Sequence, residues 1–203
     1  MKKILNLLLC AFVLLSIASF GQKAAEGAKT QETNGRTNLA NQRIEISMKD
    51  YGVMQLELDR DAAPITVENF TNLVNEGFYD GLTFRRIISG FMIKGGDPKG
   101  DGTGGSTETI KGEFDRNGVP NPISHNRGVI SMARTSEPNS ESSQFFIMHA
   151  NYPSLDGEYA AFGHVTKGIE VVDKICDIVQ VQDRNGTVLK ENQPVIEYIK
   201  IIE

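Results

Sequence analysis

The sequence predicts a mainly β domain, folded as a closed or nearly closed barrel and accompanied by two α-helices. Short runs rich in β-branched and aromatic residues recur along the chain, with turn signals between them. Only two segments have helical periodicity, and they lie far apart in the chain. The sequence lacks the alternating strand and helix units that indicate a parallel, nucleotide-binding sheet.

The predicted strands begin with a hairpin, in which residues 43–48 and 53–58 flank the turn "KDYG". The patterns predict further strands at residues 83–88, 91–94, 128–133, 144–148, 161–165 and 195–202.

The first helix is predicted over residues 63–78, because Pro64 lies near its start and Gly77 at its end. Its expected apolar face consists of Ile65, Val67, Phe70, Leu73 and Val74. The second helix is predicted over residues 168–179.

Residues 1–21 have the pattern of a signal peptide, with two lysines, an apolar stretch and small residues before the expected cleavage site. Residues 22–42 lack aromatic side chains and predict a disordered tether, which leaves residues 43–203 as the folded domain. We therefore expect an exported, periplasmic protein. The alternative is a protein anchored to the membrane by an uncleaved N-terminal segment, although the apolar stretch is short for a membrane span.

The charge and cysteine content narrow the function classes. The chain has 21 basic and 26 acidic residues and no basic run, so the sequence predicts no nucleic-acid surface. Cleavage would leave Cys176 as the single cysteine, and hence no internal disulfide. The three histidines have no metal-ligand spacing, and we predict neither a metal nor a cofactor. We expect a monomer.

The glycine-rich segment from Asp97 has an alternative interpretation as a calcium loop. Asp97, Asp101 and Glu108 match positions one, five and twelve of such a loop. Lys99, however, places a cation at position three, where a ligand oxygen is needed. A glycine-rich surface loop is the better interpretation.

Strand alternation assigns side chains to two faces. In one strand, Gln144, Phe146 and Met148 share a face, and Phe145 and Ile147 share the other. The segments "VISMA" and "FMIK" likewise have one wholly apolar face and one mixed face. A mixed face suits the binding of a partly apolar chain, but it is also compatible with an ordinary solvated surface. Alternation alone does not separate these interpretations.

Three blocks of sequence resemble the signature blocks of the cyclophilin family of peptidyl-prolyl cis-trans isomerases. They are "FRRIISGFMIKGGD", "GVISMAR" with "PNSESSQFFIM", and "LDGEYAAFGHV". They occur in the family's order, and the similarity extends over residues 43–203. The resemblance implies a closed, eight-stranded antiparallel barrel capped by two α-helices, with a substrate groove on its outer face. Together with the N-terminus, it indicates a bacterial, exported member.

The resemblance also implies roles for individual residues. Arg86 would be the catalytic arginine, and Gln144 would bind the substrate backbone and help to hold Arg86. The expected proline pocket is formed by Phe91, Met92, Phe146 and Leu155. Ala133, Arg134 and Tyr159 would line the rest of the groove.

Two residues depart from the family pattern. Lys94 occupies the position of a glutamine that usually binds the arginine, so we expect it to repel Arg86. Ser154 occupies the position of an aromatic residue, so we expect a thinner groove wall and weaker binding of the cyclic peptide cyclosporin. Tyr152 is the nearby aromatic that could replace it.

The sequence therefore predicts an isomerase that rotates X–Pro peptide bonds and assists the folding of exported proteins. Its partners would be proline-containing polypeptides. The alternative is a proline-peptide binding chaperone or scaffold whose turnover is reduced by Lys94 and Ser154. An arginine mechanism uses no general base, so turnover is expected to be nearly flat from about pH 6 to 8.

Overall fold

The structure, a computed structural model, describes residues 41–202. The predicted signal peptide and residues 22–40 of the predicted tether lie outside the described residues. Gln42 already belongs to the first strand, where it pairs with Leu58, so the folded domain begins at least one residue earlier than predicted.

Eight strands and two α-helices form the domain, close to the predicted positions. The strands are β1 (Gln42–Met48), β2 (Gly52–Leu58), β3 (Phe84–Ile88), β4 (Met92–Gly95), β5 (Val129–Met132), β6 (Phe145–Met148), β7 (Ala161–Lys167) and β8 (Ile196–Ile201). The helices are α1 (Pro64–Asn75) and α2 (Glu170–Ile178). No helix within residues 41–202 is both long and apolar enough to cross a membrane.

All eight strands belong to one antiparallel sheet in the order β3-β4-β6-β5-β7-β2-β1-β8. The sheet curls into a half-barrel, and the predicted closure is not confirmed. Between the edge strands β3 and β8, the described chain has an isolated bridge at Thr83 and Val195 rather than a continuous ladder.

The free edge of β3 is occupied by a loop, which explains why β8 does not extend along it. The backbone N–H of Ile87 donates to Gly186 at 2.8 Å, and that of Val188 donates to Arg85 at 3.0 Å. This loop therefore lies directly beside the strand that carries Arg86.

The inner face of the sheet forms the main hydrophobic core, as alternation predicts. Phe145, Ile147, Ile130 and Met132 are all fully buried in it. Phe146 and Met148 point the other way and belong to a second, smaller apolar cluster on the outer face. The outer face is therefore not an ordinary solvated surface.

Helix α1 packs its inner side onto aromatic rings of the core. The ring of Phe70 lies 5.0 Å from that of Tyr79, 5.5 Å from that of Phe145 and 5.2 Å from that of Phe162. The prediction for Ile65 was wrong, since this side chain is 41% exposed. Ile65 lies in the first turn, where its backbone N–H donates to the Glu113 carboxylate at 3.1 Å.

Candidate active site

A cavity on the outer face of the sheet brings together most of the residues predicted to bind substrate. It is lined by Arg86, Phe91, Met92, Lys94, Ala133, Arg134, Phe146, Leu155 and Tyr159. Gln144 lines a second cavity that shares Lys94, Ala133 and Arg134 with the first. Among the predicted residues, Ser154 lines neither.

Sheet register explains how residues far apart in sequence meet here. Arg86 of β3 pairs with Lys94 of β4, and Lys94 pairs with Phe146 of β6. Because directly paired residues point to the same side of a sheet, these three side chains form one row on the outer face. Met92 and Met148 form the next pair along the same face.

The Arg86 side chain is half-buried and held from one side. Its Nε donates a hydrogen bond to the carbonyl oxygen of Asn185 at 2.7 Å. Its two terminal amino groups have no hydrogen-bond acceptor among the residues that the structure describes. Burial, followed by the neighbouring Arg85, lowers the pKa of Arg86, but an arginine remains charged at any pH of interest. The cavity is thus bordered by a cation with free donors.

Gln144 is oriented by the glycine-rich loop. Its Nε2 donates to the carbonyl oxygens of Gly102 at 3.2 Å and Gly104 at 2.6 Å. Because both partners are acceptors, the amide orientation is fixed, and the buried Oε1 has no donor within the described part of the chain. The predicted hydrogen bond between Gln144 and Arg86 is not formed; the Asn185 carbonyl holds Arg86 instead.

Lys94 is a half-buried cation beside two others. Burial, and then the charges of Arg85 and Arg86, lower its pKa to about 8, and Asp97 offsets only part of this. Within residues 41–202, its ammonium forms no ion pair. Lys94 therefore lies beside Arg86, as expected. The two residues are strand partners, and the charge of Arg86 contributes to the lowered pKa of Lys94.

Comparisons with known proteins agree on one family. The profile of the cyclophilin type peptidyl-prolyl cis-trans isomerases matches residues 43–202. The chain belongs to this family. It is 44% identical to peptidyl-prolyl cis-trans isomerase B of Bacillus subtilis over 144 residues, which cover 71% of this chain and 92% of the relative. It is 41% identical to the peptidyl-prolyl cis-trans isomerase of Helicobacter pylori over 161 residues, covering 78% and 88%.

A solved structure resembles the fold as well. It is a Cryptosporidium parvum cyclophilin type peptidyl-prolyl cis-trans isomerase, crystallised in the presence of the dipeptide Ala-Pro. Its TM-score is 0.70 and its sequence identity 31%, and the match covers 80% of this chain and 99% of that one. The chain is therefore a cyclophilin in both sequence and fold, and its family is an enzyme family.

His125 supports the apolar wall of this cyclophilin's cavity from behind. Its ring stacks on that of Phe146, with centroids 6.0 Å apart and planes at 17°. Nδ1 lies 3.0 Å from Asp156 Oδ1, and Nε2 lies 3.1 Å from the hydroxyl of Ser131. Burial lowers the pKa of His125 despite the adjacent Asp156, so the ring is neutral.

The burial of His125, which is only 1% exposed, is not evident from the sequence. His125 lies in an irregular segment before β5, where no periodicity shows which side chains point inward. Its partners come from three different segments, so local sequence carried no signal for them.

Tyr152 is an aromatic residue that packs against Phe91, although it lines neither cavity. The two rings lie 4.4 Å apart and are tilted by 46°. Ser154, two residues later on the short 3-10 helix Pro153–Leu155, is exposed to solvent. An aromatic ring thus contacts Phe91 from position 152 rather than from position 154, where the family pattern has an aromatic residue.

Arg134 forms part of the groove wall through its whole side chain. Its guanidinium carbon lies 4.8 Å from the ring centre of Phe114 and 4.9 Å from that of Tyr159. Its Nε donates to the carbonyl oxygen of Glu158 at 2.9 Å, and a terminal amino group lies 3.4 Å from the same residue's carboxylate. The positive charge of Arg134 is thus already paired.

Asp97 organises the glycine-rich loop from within. Its carboxylate accepts backbone N–H bonds from Lys99 and Gly102. A Cβ at position 104 would lie 2.1 Å from Asp97 Oδ1, so only glycine fits there. The loop that orients Gln144 is therefore closed by Asp97 itself.

Proposed function

We propose that this cyclophilin catalyses cis-trans isomerisation of X–Pro bonds and assists the folding of proteins exported to a bacterial periplasm. Family membership and the names of its relatives support the reaction. The Ala-Pro dipeptide named for the Cryptosporidium parvum structure supports proline-containing peptides as ligands. The observation that carries the proposal is the half-buried Arg86 in a cavity lined by Phe91, Met92, Phe146 and Leu155, with both terminal amino groups free of acceptors among the described residues.

Rotation about the X–Pro bond requires the loss of amide resonance. The planar X–Pro amide is resonance-stabilised, and the barrier to rotation is about 18–20 kcal/mol. The twisted transition state is less charge-separated and leaves a lone pair on the prolyl nitrogen. The apolar part of the cavity wall, formed by Phe91, Met92, Phe146 and Leu155, therefore disfavours the planar amide relative to the twisted one.

Arg86 acts on the twisted state. A guanidinium amino group donates to the nitrogen lone pair only when resonance is lost, so this contact stabilises the transition state and not the ground state. A ~10⁵-fold acceleration requires about 7 kcal/mol. One charged hydrogen bond supplies about 1.5–3 kcal/mol, so desolvation and anchoring must supply the remainder.

Gln144 supplies one anchor. Its buried Oε1 is an acceptor without a donor among residues 41–202, which is costly unless a ligand provides one. A backbone N–H of the client peptide is a matching donor. Because Nε2 is fixed by Gly102 and Gly104, this acceptor is oriented before the client binds.

The test is catalysis of cis-trans exchange of an Ala-Pro peptide, followed by NMR exchange spectroscopy. Arg86→Ala should lower the rate by about 100-fold or more while leaving the fold intact. Arg184→Ala, which removes an exposed arginine from the neighbouring loop, is the matched control. Binding of proline peptides without acceleration would instead favour the chaperone or scaffold function.

Export rests on the N-terminal sequence pattern and has its own test. Cell fractionation and mass spectrometry of the mature protein should find a periplasmic chain that lacks residues 1–21. A full-length chain in the membrane fraction would favour the anchored form.

A further inference from the structure

Lys94 lies where the two cavities of the groove meet. The first cavity contains the apolar residues proposed to hold proline, and the second contains Gln144 and the glycine-rich loop. Lys94 lines both. Because an extended chain advances about 3.3 Å per residue, cavities that share a wall hold residues only one or two positions apart.

Asp97 is the acidic residue whose charge acts on Lys94, and Glu158 is the acidic residue beside Arg134, which lines both cavities with Lys94. Both oxygens of Asp97 accept backbone N–H bonds within the glycine-rich loop. Glu158 pairs with Arg116 at 2.9 Å and with Arg134 at 3.4 Å. Arg85 and Arg86, from the paired strand, add positive charge. The junction of the cavities therefore has an excess of positive charge, which Asp97 offsets only in part within residues 41–202.

We propose that Lys94 determines specificity by binding the carboxylate of an acidic client residue within two positions of the proline. This inference rests on the proposed function, because it assumes that the first cavity holds proline. A client carboxylate would give the ammonium a hydrogen-bonded counter-ion and would offset its repulsion of Arg86. The preferred clients are thus segments in which Asp or Glu is adjacent to a proline or is separated from it by one residue.

The charge state of Lys94 supports this chemistry. A cation that loses hydration without gaining a partner has a lowered pKa, and burial is the main cause of the value of about 8. At neutral pH most of the population is still charged. The free enzyme can therefore attract a carboxylate at pH 7 and loses this ability at pH 9 and above.

The experiment compares matched peptides that carry Glu, Gln or Lys singly at each of the two positions before and after one proline. Exchange rates are measured by NMR at pH 7 and low salt, and dissociation constants by titration of the same peptides. At one position, we expect kcat/KM for Glu to exceed that for Gln by about tenfold, with Lys lowest. The preference should shrink in 0.5 M salt and at pH 9.5.

Lys94→Gln should reduce the ratio of Glu to Gln rates to about one, whatever its effect on the absolute rates. Lys99→Gln removes an exposed positive charge from the neighbouring loop and should keep the ratio. This control separates a contact with Lys94 from a general effect of net charge.

The results that would contradict the inference about Lys94 differ from those that would contradict the proposed isomerase function. Catalysis of all peptides with equal rates and equal affinities overturns this inference and leaves the isomerase intact. Absence of catalysis contradicts the proposed function, and the dissociation constants then decide on Lys94. A preference for Glu that persists in Lys94→Gln would also overturn the inference about Lys94.

Discussion

The carbonyl oxygen of Asn185 accepts the Nε–H of Arg86 at 2.7 Å, although the two residues are 99 positions apart in the chain. This contact fixes one edge of the guanidinium, and no residue in the described part of the chain accepts a hydrogen bond from the other edge. Orientation of a catalytic donor before the substrate arrives is a large part of electrostatic catalysis. The loop that presents Asn185 is therefore part of the catalytic design proposed above.

Asp183 shapes that loop. Its Oδ1 accepts the backbone N–H groups of Asn185 at 2.9 Å and Thr187 at 3.1 Å, and its Oδ2 accepts the Thr187 hydroxyl at 3.0 Å. These hydrogen bonds, led by the Thr187 N–H, lower the pKa of Asp183, so it stays ionised in any usual assay. Gly186 completes the turn with a φ of +77°.

Asp183→Ala should therefore lower kcat for the Ala-Pro peptide with little change in KM. If the misplaced Arg86 loses about 1 kcal/mol of transition-state stabilisation, the rate falls about fivefold. Asp183→Asn keeps the Oδ1 acceptor and should retain most of the activity. Steady-state kinetics of the two variants provide the measurement, and equal rates for Asp183→Ala and the natural protein would show that Arg86 is oriented without this loop.

The pH profile should depend on Lys94. Its lowered pKa of about 8 means that the ammonium is charged at pH 7 and becomes neutral as the pH rises through 8. Loss of that charge relieves repulsion of Arg86, which does not titrate. We expect turnover of an uncharged Ala-Pro peptide to be flat from about pH 6 to 7 and to rise between about pH 7 and 9. The sequence predicted nearly constant turnover up to about pH 8, and the lowered pKa of Lys94 restricts this range to about pH 6 to 7.

Lys94→Gln should remove this rise and raise the rate at pH 7. The comparison is a pH series from 6 to 9.5 for both proteins at constant ionic strength. A rise that persists in the variant would assign the titration to another group.

Much of the fold was predictable, because strand alternation and turn residues are local signals. Alternation separated Phe145 from Phe146, and these rings do lie in different apolar clusters. Closure of the barrel was not predictable in the same way. It depends on what covers the free edge of β3, and the backbone of Gly186 does so from almost a hundred residues away.

The candidate site, like the fold, was predictable only in part. Family motifs predicted which side chains share the cavity, and the register of three strands brings Arg86, Lys94 and Phe146 together. The residues that hold them were not predicted. His125 and Asn185 act from irregular segments, and Asn185 acts through its backbone, so its side-chain type carried no information.

Glu141 should make stability depend on pH. Its side chain is fully buried, and burial followed by the nearby Glu113 raises its pKa to about 8 from an ordinary value of 4.5. The folded protein therefore holds a proton that the unfolded chain releases above about pH 4.5. This contribution to stability is complete below that pH and is lost as the pH rises towards 8.

Glu141→Gln should remove this dependence, because glutamine resembles the protonated acid. Its free energy of unfolding should match that of the natural protein near pH 5 and exceed it progressively up to pH 8, by as much as about 1.4 kcal/mol per pH unit. Glu137→Gln alters an exposed glutamate and serves as the control. Chemical unfolding at several pH values provides the measurement, and parallel curves for all three proteins would show that Glu141 is ionised in the fold.

Cyclosporin binding tests how positions 152 and 154 contribute to the groove wall. Relative to a tryptophan, the exposed Ser154 gives up on the order of 50–80 Å² of apolar contact, which costs about 1.5–2 kcal/mol. Binding should thus be about ten- to thirtyfold weaker than in a tryptophan-bearing relative. A short peptide held mainly by its proline should lose less.

Two substitutions separate the contributions of the wall. Ser154→Trp should recover part of the affinity by restoring the missing area. Tyr152→Ala should weaken binding further, because the Tyr152 ring lies 4.4 Å from that of Phe91 and extends the apolar surface beside it. Inhibition titrations against Ala-Pro exchange measure both effects. If the natural protein is inhibited as tightly as the relative and Tyr152→Ala is not, the Tyr152 ring has taken over the role of the absent aromatic at position 154.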